Sequence, residues 1–375
     1  MNVSSLHEAP PLVVHAAIAA ALGLAGLVAV ALAEPAFALQ GWLAAAFALS
    51  AVPIGALGLL LMHALTGGPW QRPLAPILRA CCGTLPLFAL AFLPVILFPS
   101  LLYPWAGSGA DDPAIAAKAG YLNPVFFALR TVVYFAIWIA LAVLAAGRAD
   151  AGGARQPGTL AAGIGVILYA TTVSFAAIDW AMSLDPRFSS SAFGMLVGIC
   201  ALLAALSFAI PAAAWLGSPA MRAAADDAKV RAALAGLLAT GVLLWAYVSF
   251  MQYLVVWSGD LPEEAAWYLD RVAGGWMVVP WAVGLLLGVL PVAALCLPAG
   301  RRSLQRLAAI AALIFVMRVI EAVWLVLPSF PLESWLQPAA WAAAMLALGA
   351  GTFAALLWLW ALGFRRGQQE VTQHG

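Results

Sequence analysis

The sequence predicts an all-α, polytopic membrane protein with about ten transmembrane helices, and three observations carry that reading. Of 375 residues, 65% are hydrophobic and only 9% are charged, where an average soluble domain is roughly 45–50% apolar and about 25% charged. Mean hydropathy is +1.01. Ten stretches each hold the run of about 20 apolar residues that crosses a bilayer core. This composition excludes a water-soluble globular enzyme and a disordered chain. A net charge of +1 leaves no basic surface for a polyanion.

In chain order, the first span is Leu12–Ala33. The polar stretch before it has no Lys or Arg, so it lacks a signal-peptide n-region, and the span is expected to remain in the membrane. The second, Trp42–Leu65, stops at the breaker Thr66-Gly67-Gly68-Pro69. The third, Ala80–Leu102, runs into a connection from Pro104 to Pro113. The remaining spans are Pro124–Ala146, Thr159–Met182, Ser191–Leu216, Val230–Trp257, Gly275–Leu297, Leu304–Leu327 and Ala339–Phe364. Without water to satisfy backbone groups inside lipid, such continuous runs form helices. A β-barrel would show short alternating segments instead. No polar segment exceeds a loop, so the whole chain, 1–375, reads as one membrane domain.

Ten spans return the chain to its starting side, and the positive-inside rule chooses that side. Twelve basic residues fall on the side of the termini: Arg72, Arg79, Arg148, Arg155, Arg222, Lys229, Arg231, Arg301, Arg302, Arg306, Arg365 and Arg366. Only Lys118, Arg187 and Arg271 fall opposite. Both termini are therefore expected on the cytoplasmic side of the membrane. Acidic residues show the reverse bias and make the outer loops negative. Ordinary solvated loops explain this, and so does attraction of a basic soluble partner. Of the sixteen Trp residues, Trp42, Trp105, Trp180, Trp257, Trp267, Trp276 and Trp335 fall near the outer ends, where interfacial belts form.

Metal-binding and redox motifs are missing. Cys81, Cys82, Cys200 and Cys296 lie in or beside apolar runs without C-x-x-C spacing, which speaks against a disulfide framework, a zinc site or an iron–sulfur cluster. His15 and His63 sit near the cytoplasmic ends of neighbouring spans. Two facing His residues can ligate haem, but a single pair lacks the four-His arrangement of a cytochrome b. His63 reads instead as part of an interfacial turn or a proton entry point.

Setting the loop charges aside leaves Arg130, Asp179, Arg318 and Glu321 inside spans. Charges at membrane depth are costly unless paired or hydrated, so they are functional candidates. At about 1.5 Å per residue, all four belong to the outer half, and their charges sum to zero. Arg318 and Glu321 are three apart on one helix and share a face. Arg130 and Asp179 are on consecutive antiparallel spans and can meet. Two readings follow: neutralised pairs that orient helices, or protonatable carboxylates that pass a proton stepwise. Tyr134 lies one turn below Arg130, and Ser249, Gln252 and Tyr253 occupy the outer part of the seventh span.

Several segments in order resemble one family. They are His63-Ala64-Leu65-Thr66-Gly67-Gly68-Pro69-Trp70; Tyr121-Leu122-Asn123 with Phe126 to Arg130 and Tyr134 to Trp138; Asp179-Trp180-Ala181-Met182-Ser183-Leu184-Asp185-Pro186; Gln252-Tyr253-Leu254 with Trp257 and Leu261-Pro262-Glu263-Glu264; and Glu321-Ala322-Val323-Trp324 with Pro328-Ser329-Phe330. Together, from about residue 40 to 335, they resemble the second large membrane subunit of alternative complex III. That complex is a bacterial quinol:cytochrome c oxidoreductase, and the subunit is one of the polysulfide-reductase-like membrane proteins. The loop Ser258-Gly259-Asp260 and the prolines Pro73 and Pro76 after Trp70 depart from the family pattern.

The resemblance implies two four-helix bundles plus peripheral spans. It implies partners: a paralogous membrane subunit, an iron–sulfur subunit and c-type cytochrome subunits. Haem c and the iron–sulfur clusters would belong to those partners, with quinone or quinol as the small molecule and no cofactor held by this chain. By position, Asp179, Arg130 and Glu321 match polar membrane residues of the family, and His63 matches its inner turn. The proton-transfer candidates are therefore Asp179, Glu321, Arg318, Arg130 and His63. The quinone-binding candidates are Tyr134, Arg130, Tyr253 and Gln252. The competing expectation is a stand-alone transporter or a structural anchor. Interruptions such as Pro53-Ile54-Gly55 would suit a transporter, but no internal repeat is visible.

Overall fold

A computed structural model of the chain describes residues 11–107, 112–146 and 159–373. Arg148, Arg155, Asp111 and Asp150, together with Glu8, His7 and His374, lie outside the described residues. Among the described residues there is no strand, and ten helices are long and apolar enough to cross a membrane. They are α1 (Pro11–Ala33), α2 (Pro35–Thr66), α3 (Gln71–Leu97), α4 (Pro124–Ala146), α5 (Thr159–Trp180), α6 (Phe193–Leu216) and α7 (Ala228–Gly259), followed by the short non-spanning α8 (Pro262–Val272), then α9 (Gly274–Cys296), α10 (Leu304–Val326) and α11 (Leu336–Gln373).

α2 and α6 form the centre and are buried over most of their length. α2 packs with α3, α4 and α5 as one four-helix bundle, and α6 packs with α7 and α10 in a second, which α9 completes by packing on α7 and α10. α1 and α11 pair with each other and lie against α2 at the periphery. This is the expected pair of bundles with peripheral spans.

Lipid tails are as apolar as leucine, so spans associate through close packing of small residues. The seam between α2 and α6 shows this. A Cβ on Gly55 would lie 1.8 Å from the carbonyl oxygen of Ala201, so only glycine lets the two backbones meet. Gly23 plays the same part where α1 crosses α11, with Ala347 N 2.4 Å from the position of its absent Cβ.

The third span begins at Gln71 rather than at Ala80. Its first segment, Gln71–Cys82, buries Leu74, Ile77, Leu78 and Cys81 while Arg72 and Arg79 stay exposed. Those two arginines hide the helix from a search for unbroken apolar runs. Breaks follow after Cys82 and after Ala91, each just before a Leu-Pro pair. A proline gives no N–H to the preceding turn and crowds its carbonyl. In α9, Pro291 has the same effect on the turn before it, and Gly284–Val289 there is π-helical.

On the side of the termini, Asp227 caps α7 through Lys229 N and Val230 N, at 2.9 and 3.2 Å. The Asp226 carboxylate accepts from Leu304 N at 2.9 Å, tying the start of α10 to the start of α7. At the other end of α7, Asp260 adopts a left-handed conformation (φ 48°) and turns the chain into α8.

The interfacial-belt expectation needs correction for part of the Trp set. Trp257 and Trp335 are exposed as a belt requires, but Trp105, Trp180 and Trp267 are buried in the protein. Trp180 stacks on Phe135 and lies 4.0 Å from Phe92, while Trp267 stacks on Phe188 at 4.5 Å. They are packing residues between helices and loops.

Candidate functional site

The four charges inside spans form two separate pairs. Arg130 enters about 9 Å along α4, and Asp179 is the penultimate residue of the antiparallel α5. Arg130 Nε and Nη2 each donate to one Asp179 carboxylate oxygen at 2.8 Å. Tyr134 Oη, one turn further along α4, donates to Asp179 Oδ2 at 2.7 Å. Arg130 Nη1 reaches the Tyr121 carbonyl at 3.0 Å. The guanidinium also lies against the rings of Tyr121 and Phe126, at 3.8 and 4.2 Å, two rings that meet edge-on. Planar two-point pairing with ring stacking is a use of arginine that lysine cannot reproduce.

Asp179 is fully buried, and Phe92, Phe135, Trp138 and Trp180 form an aromatic cluster that packs against Tyr134. Ser183 donates to the Asp179 carbonyl at 2.6 Å, and both Ser183 and Tyr121 line a pocket of about 330 Å³ among the loops away from the termini. Lys118 and Pro186 line the same pocket and bond to each other. The buried pair is thus one side-chain layer away from a loop pocket with a polar rim. Burial, and then the Asp179 charge, push the Tyr121 phenol above its ordinary value.

The second pair lies in α10. Arg318 donates to Glu321 Oε2 within one turn, and both are buried. Trp245 Nε1, from α7, donates to Glu321 Oε1 at 2.8 Å. The Glu321 carboxylate therefore has one partner per oxygen. Arg318 Nε has no partner within the protein. Arg318 lines a small cavity of about 40 Å³ between the bundles, which Trp138 and Trp180 also line. That exceeds the roughly 10–15 Å³ a single water needs.

Glu321 also lines a large crevice of about 1160 Å³ between α7, α9 and α10, roofed by α8. Gln252 and Tyr253 line this crevice. Gln252 joins Ser190 and Tyr268 at 3.2 and 3.3 Å, and the Tyr253 ring meets Tyr268 edge-on at 5.7 Å. The structure thus divides the four quinone-binding candidates. Tyr134 and Arg130 are committed to Asp179 in the first bundle, while Gln252 and Tyr253 gather with Glu321 in the second.

His63 is placed elsewhere. Its Nε2 lies 2.9 Å from the Gly68 carbonyl and its ring meets Trp70 edge-on, fixing the turn at the terminus-side end of α2. Gly67 and Gly68 take φ values of 70° and 112° there. His15 Nδ1 contacts the Pro11 carbonyl of its own helix at 2.6 Å. Among the described residues, no three His, Cys, Asp or Glu side chains come together as a metal would need.

Sequence reading missed two participants. Trp245 looked like one more apolar residue of a span, and nothing in the pattern marks its indole as the partner of Glu321. Arg271 was counted among the loop charges, yet it is 1% exposed. It stacks on Trp267 at 3.7 Å and donates to the carbonyls of Trp267 and Leu325 and to Ser329 Oγ, at 3.1, 2.7 and 3.0 Å. Trp324 Nε1 donates back to the Arg271 carbonyl at 3.0 Å. Burial pushes the Arg271 guanidinium down to about 9, with Asp185 and Asp270 acting the other way. The i, i+4 spacing of Trp267 and Arg271 in an amphipathic segment was the available signal.

Fold and site together define a multi-pass helical membrane protein with two buried carboxylate–arginine pairs in the half away from its termini. No protein-family model and no curated protein matches the chain.

Proposed function

We propose that this chain is an integral membrane subunit of a quinol-oxidising complex of the alternative complex III type, and that its buried carboxylates carry protons. The observation that supports this most is the placement of Asp179 and Glu321. Both are protonatable, both are held by an arginine and an aromatic N–H or O–H donor, and both sit in the half of their spans away from the termini, Asp179 beside a loop pocket on that side and Glu321 in the wall of the crevice between α7, α9 and α10. With the basic loops facing the cytoplasm of a bacterial inner membrane, that side is the outer one. Quinol oxidation releases protons, and these carboxylates stand where protons would leave.

In this reading electrons pass through haem c and iron–sulfur partners, beside a paralogous membrane subunit, and this chain contributes proton transfer. Arg130 and Arg318 hold the carboxylates in place and oppose the cost of burying their charge. Tyr134 offers Asp179 a hydroxyl that can give and accept a proton. The test is turnover and proton release by the assembled complex carrying Asp179→Asn with Glu321→Gln. Both rates should fall together, and unchanged rates in a correctly assembled complex would remove the proton role.

A further inference from the structure

The crevice between α7, α9 and α10 opens sideways to the lipid. Leu243 and Phe250 of α7 and Trp281 and Val289 of α9 line it, and each is more than half exposed. It follows α9 from Pro280 to Ala293, about 20 Å at 1.5 Å per residue, and one leaflet of hydrocarbon is about 15 Å deep. Its polar side chains all lie toward α8, and the rest of the lining is apolar. Water needs polar partners, so the apolar length of such a groove is filled by hydrocarbon.

The two ends differ in charge. The roof, α8, carries Glu263, Glu264 and Asp270. At the other end the loop after α9 folds back over its last turn. Gly300 permits this, since a Cβ there would collide with the Ala294 carbonyl. The fold-back brings Arg301 and its neighbour Arg302 to the last turn of α9, and Arg231 and Arg306 are bonded to the same loop. Arg301 Nη2 donates to the Cys296 carbonyl at 3.4 Å, Arg306 Nη1 to the Ala299 carbonyl at 3.1 Å, and Arg231 Nε to the Arg301 carbonyl at 3.3 Å. These carbonyls cancel no charge. Among the described residues only Arg231 of the four is paired with an acid, Asp226, while Arg301, Arg302 and Arg306 are exposed. Topology requires basic residues on this side, but not their convergence on one groove.

We propose that this crevice binds an anionic phospholipid of the leaflet on the side of the termini, with an acyl chain in the groove and the phosphate on Arg301, Arg302 and Arg306. Guanidinium groups match phosphate oxygens in charge and in geometry, and basic pockets between spans on the positive side hold such headgroups. A phosphate at the opposite end would meet the acids of α8. The inference uses the groove and the arginines alone and does not depend on the proposed function.

The test uses the purified full-length chain in detergent micelles doped with phosphatidylglycerol or with zwitterionic phosphatidylcholine. The chain is repurified by gel filtration, and the lipid retained per chain is counted by mass spectrometry. Saturable retention of phosphatidylglycerol is expected, about ten-fold tighter than that of phosphatidylcholine, with the preference shrinking as salt is raised. Arg301→Gln with Arg302→Gln should remove most of that preference while leaving phosphatidylcholine retention and the unfolding temperature unchanged. Gly288→Leu should lower retention of both lipids. Gly288 lies about 12 Å before the end of α9, and a Cβ there would meet the Trp245 ring at an ordinary 3.5 Å. Phosphatidylglycerol with a photoreactive acyl chain should label α9 between Gly284 and Ala293, a readout that needs no variant. Equal retention of the two lipids, an arginine variant that keeps the wild-type preference, a well-folded Gly288→Leu protein that retains lipid as the wild type does, or labelling that leaves α9 unmarked would each overturn the proposal.

Discussion

Arg130 and Asp179 meet through two parallel hydrogen bonds of 2.8 Å each, linking α4 to α5 at a depth where neither charge has another ionic partner among the described residues. A buried pair of this kind adds little net stability, but removing one member strands the other. Asp179→Asn should therefore lower the stability of the detergent-solubilised protein by about 3–5 kcal/mol, and replacing both residues, Asp179→Asn with Arg130→Met, should recover much of the loss. Thermal unfolding of the three proteins checks this. A double variant no more stable than Asp179→Asn would show that the pair is not a closed electrostatic unit.

Arg130→Lys tests geometry apart from charge. Lysine keeps the positive charge but loses the two-point fork and the planar contacts with the Tyr121 and Phe126 rings. The variant should be markedly less stable than the wild type. Equal unfolding temperatures would mean that charge alone matters at this position.

Tyr134→Phe removes one hydrogen bond to a charged carboxylate without altering packing. The expected loss is about 1.5–3 kcal/mol. The corresponding change beside the second carboxylate, Trp245→Phe, should cost a similar amount by leaving Glu321 Oε1 without its donor. Unfolding curves that overlay the wild type would contradict the contacts assigned here.

Gly55 sets how closely the bundles approach. Gly55→Val should abolish a monodisperse protein, because its Cβ would fall 1.8 Å from the Ala201 oxygen. Gly163→Ala, where a Cβ meets nothing within 4 Å, should be silent. Size-exclusion profiles after membrane extraction distinguish the two.

Arg271 holds α8 against the last turn of α10 through Leu325 and against the segment after it through Ser329. Arg271→Ala should free α8 and raise the rate of proteolytic cleavage on that face, while the spans remain intact. Cleavage at the wild-type rate would show that Trp267 and the other α8 contacts suffice.

Much of the architecture was legible because the bilayer reduces the choice to apolar helices. The ten spans, the pairing of Arg130 with Asp179 and that of Arg318 with Glu321 all follow from hydropathy and helical spacing. What stayed hidden depends on contacts between distant segments. Trp245 meets Glu321 across 76 positions of sequence, and no periodicity announces that. Arg271 looked like a solvated loop charge because its neutralisation comes from carbonyls and a ring rather than from an acid. The start of α3 was masked by Arg72 and Arg79, which stay exposed while Leu74, Ile77, Leu78 and Cys81 of the same segment are buried. The crevice beside Glu321 is likewise a property of how α9 packs, not of its composition.

The most direct measurement is purification of the tagged chain from gently solubilised native membranes, followed by absorption spectroscopy and identification of what travels with it. A complex containing covalently bound haem c, an iron–sulfur protein and a second polytopic subunit, active in quinol oxidation, is the predicted result. A chain that elutes alone, without haem and without quinol-dependent electron transfer, would contradict the account.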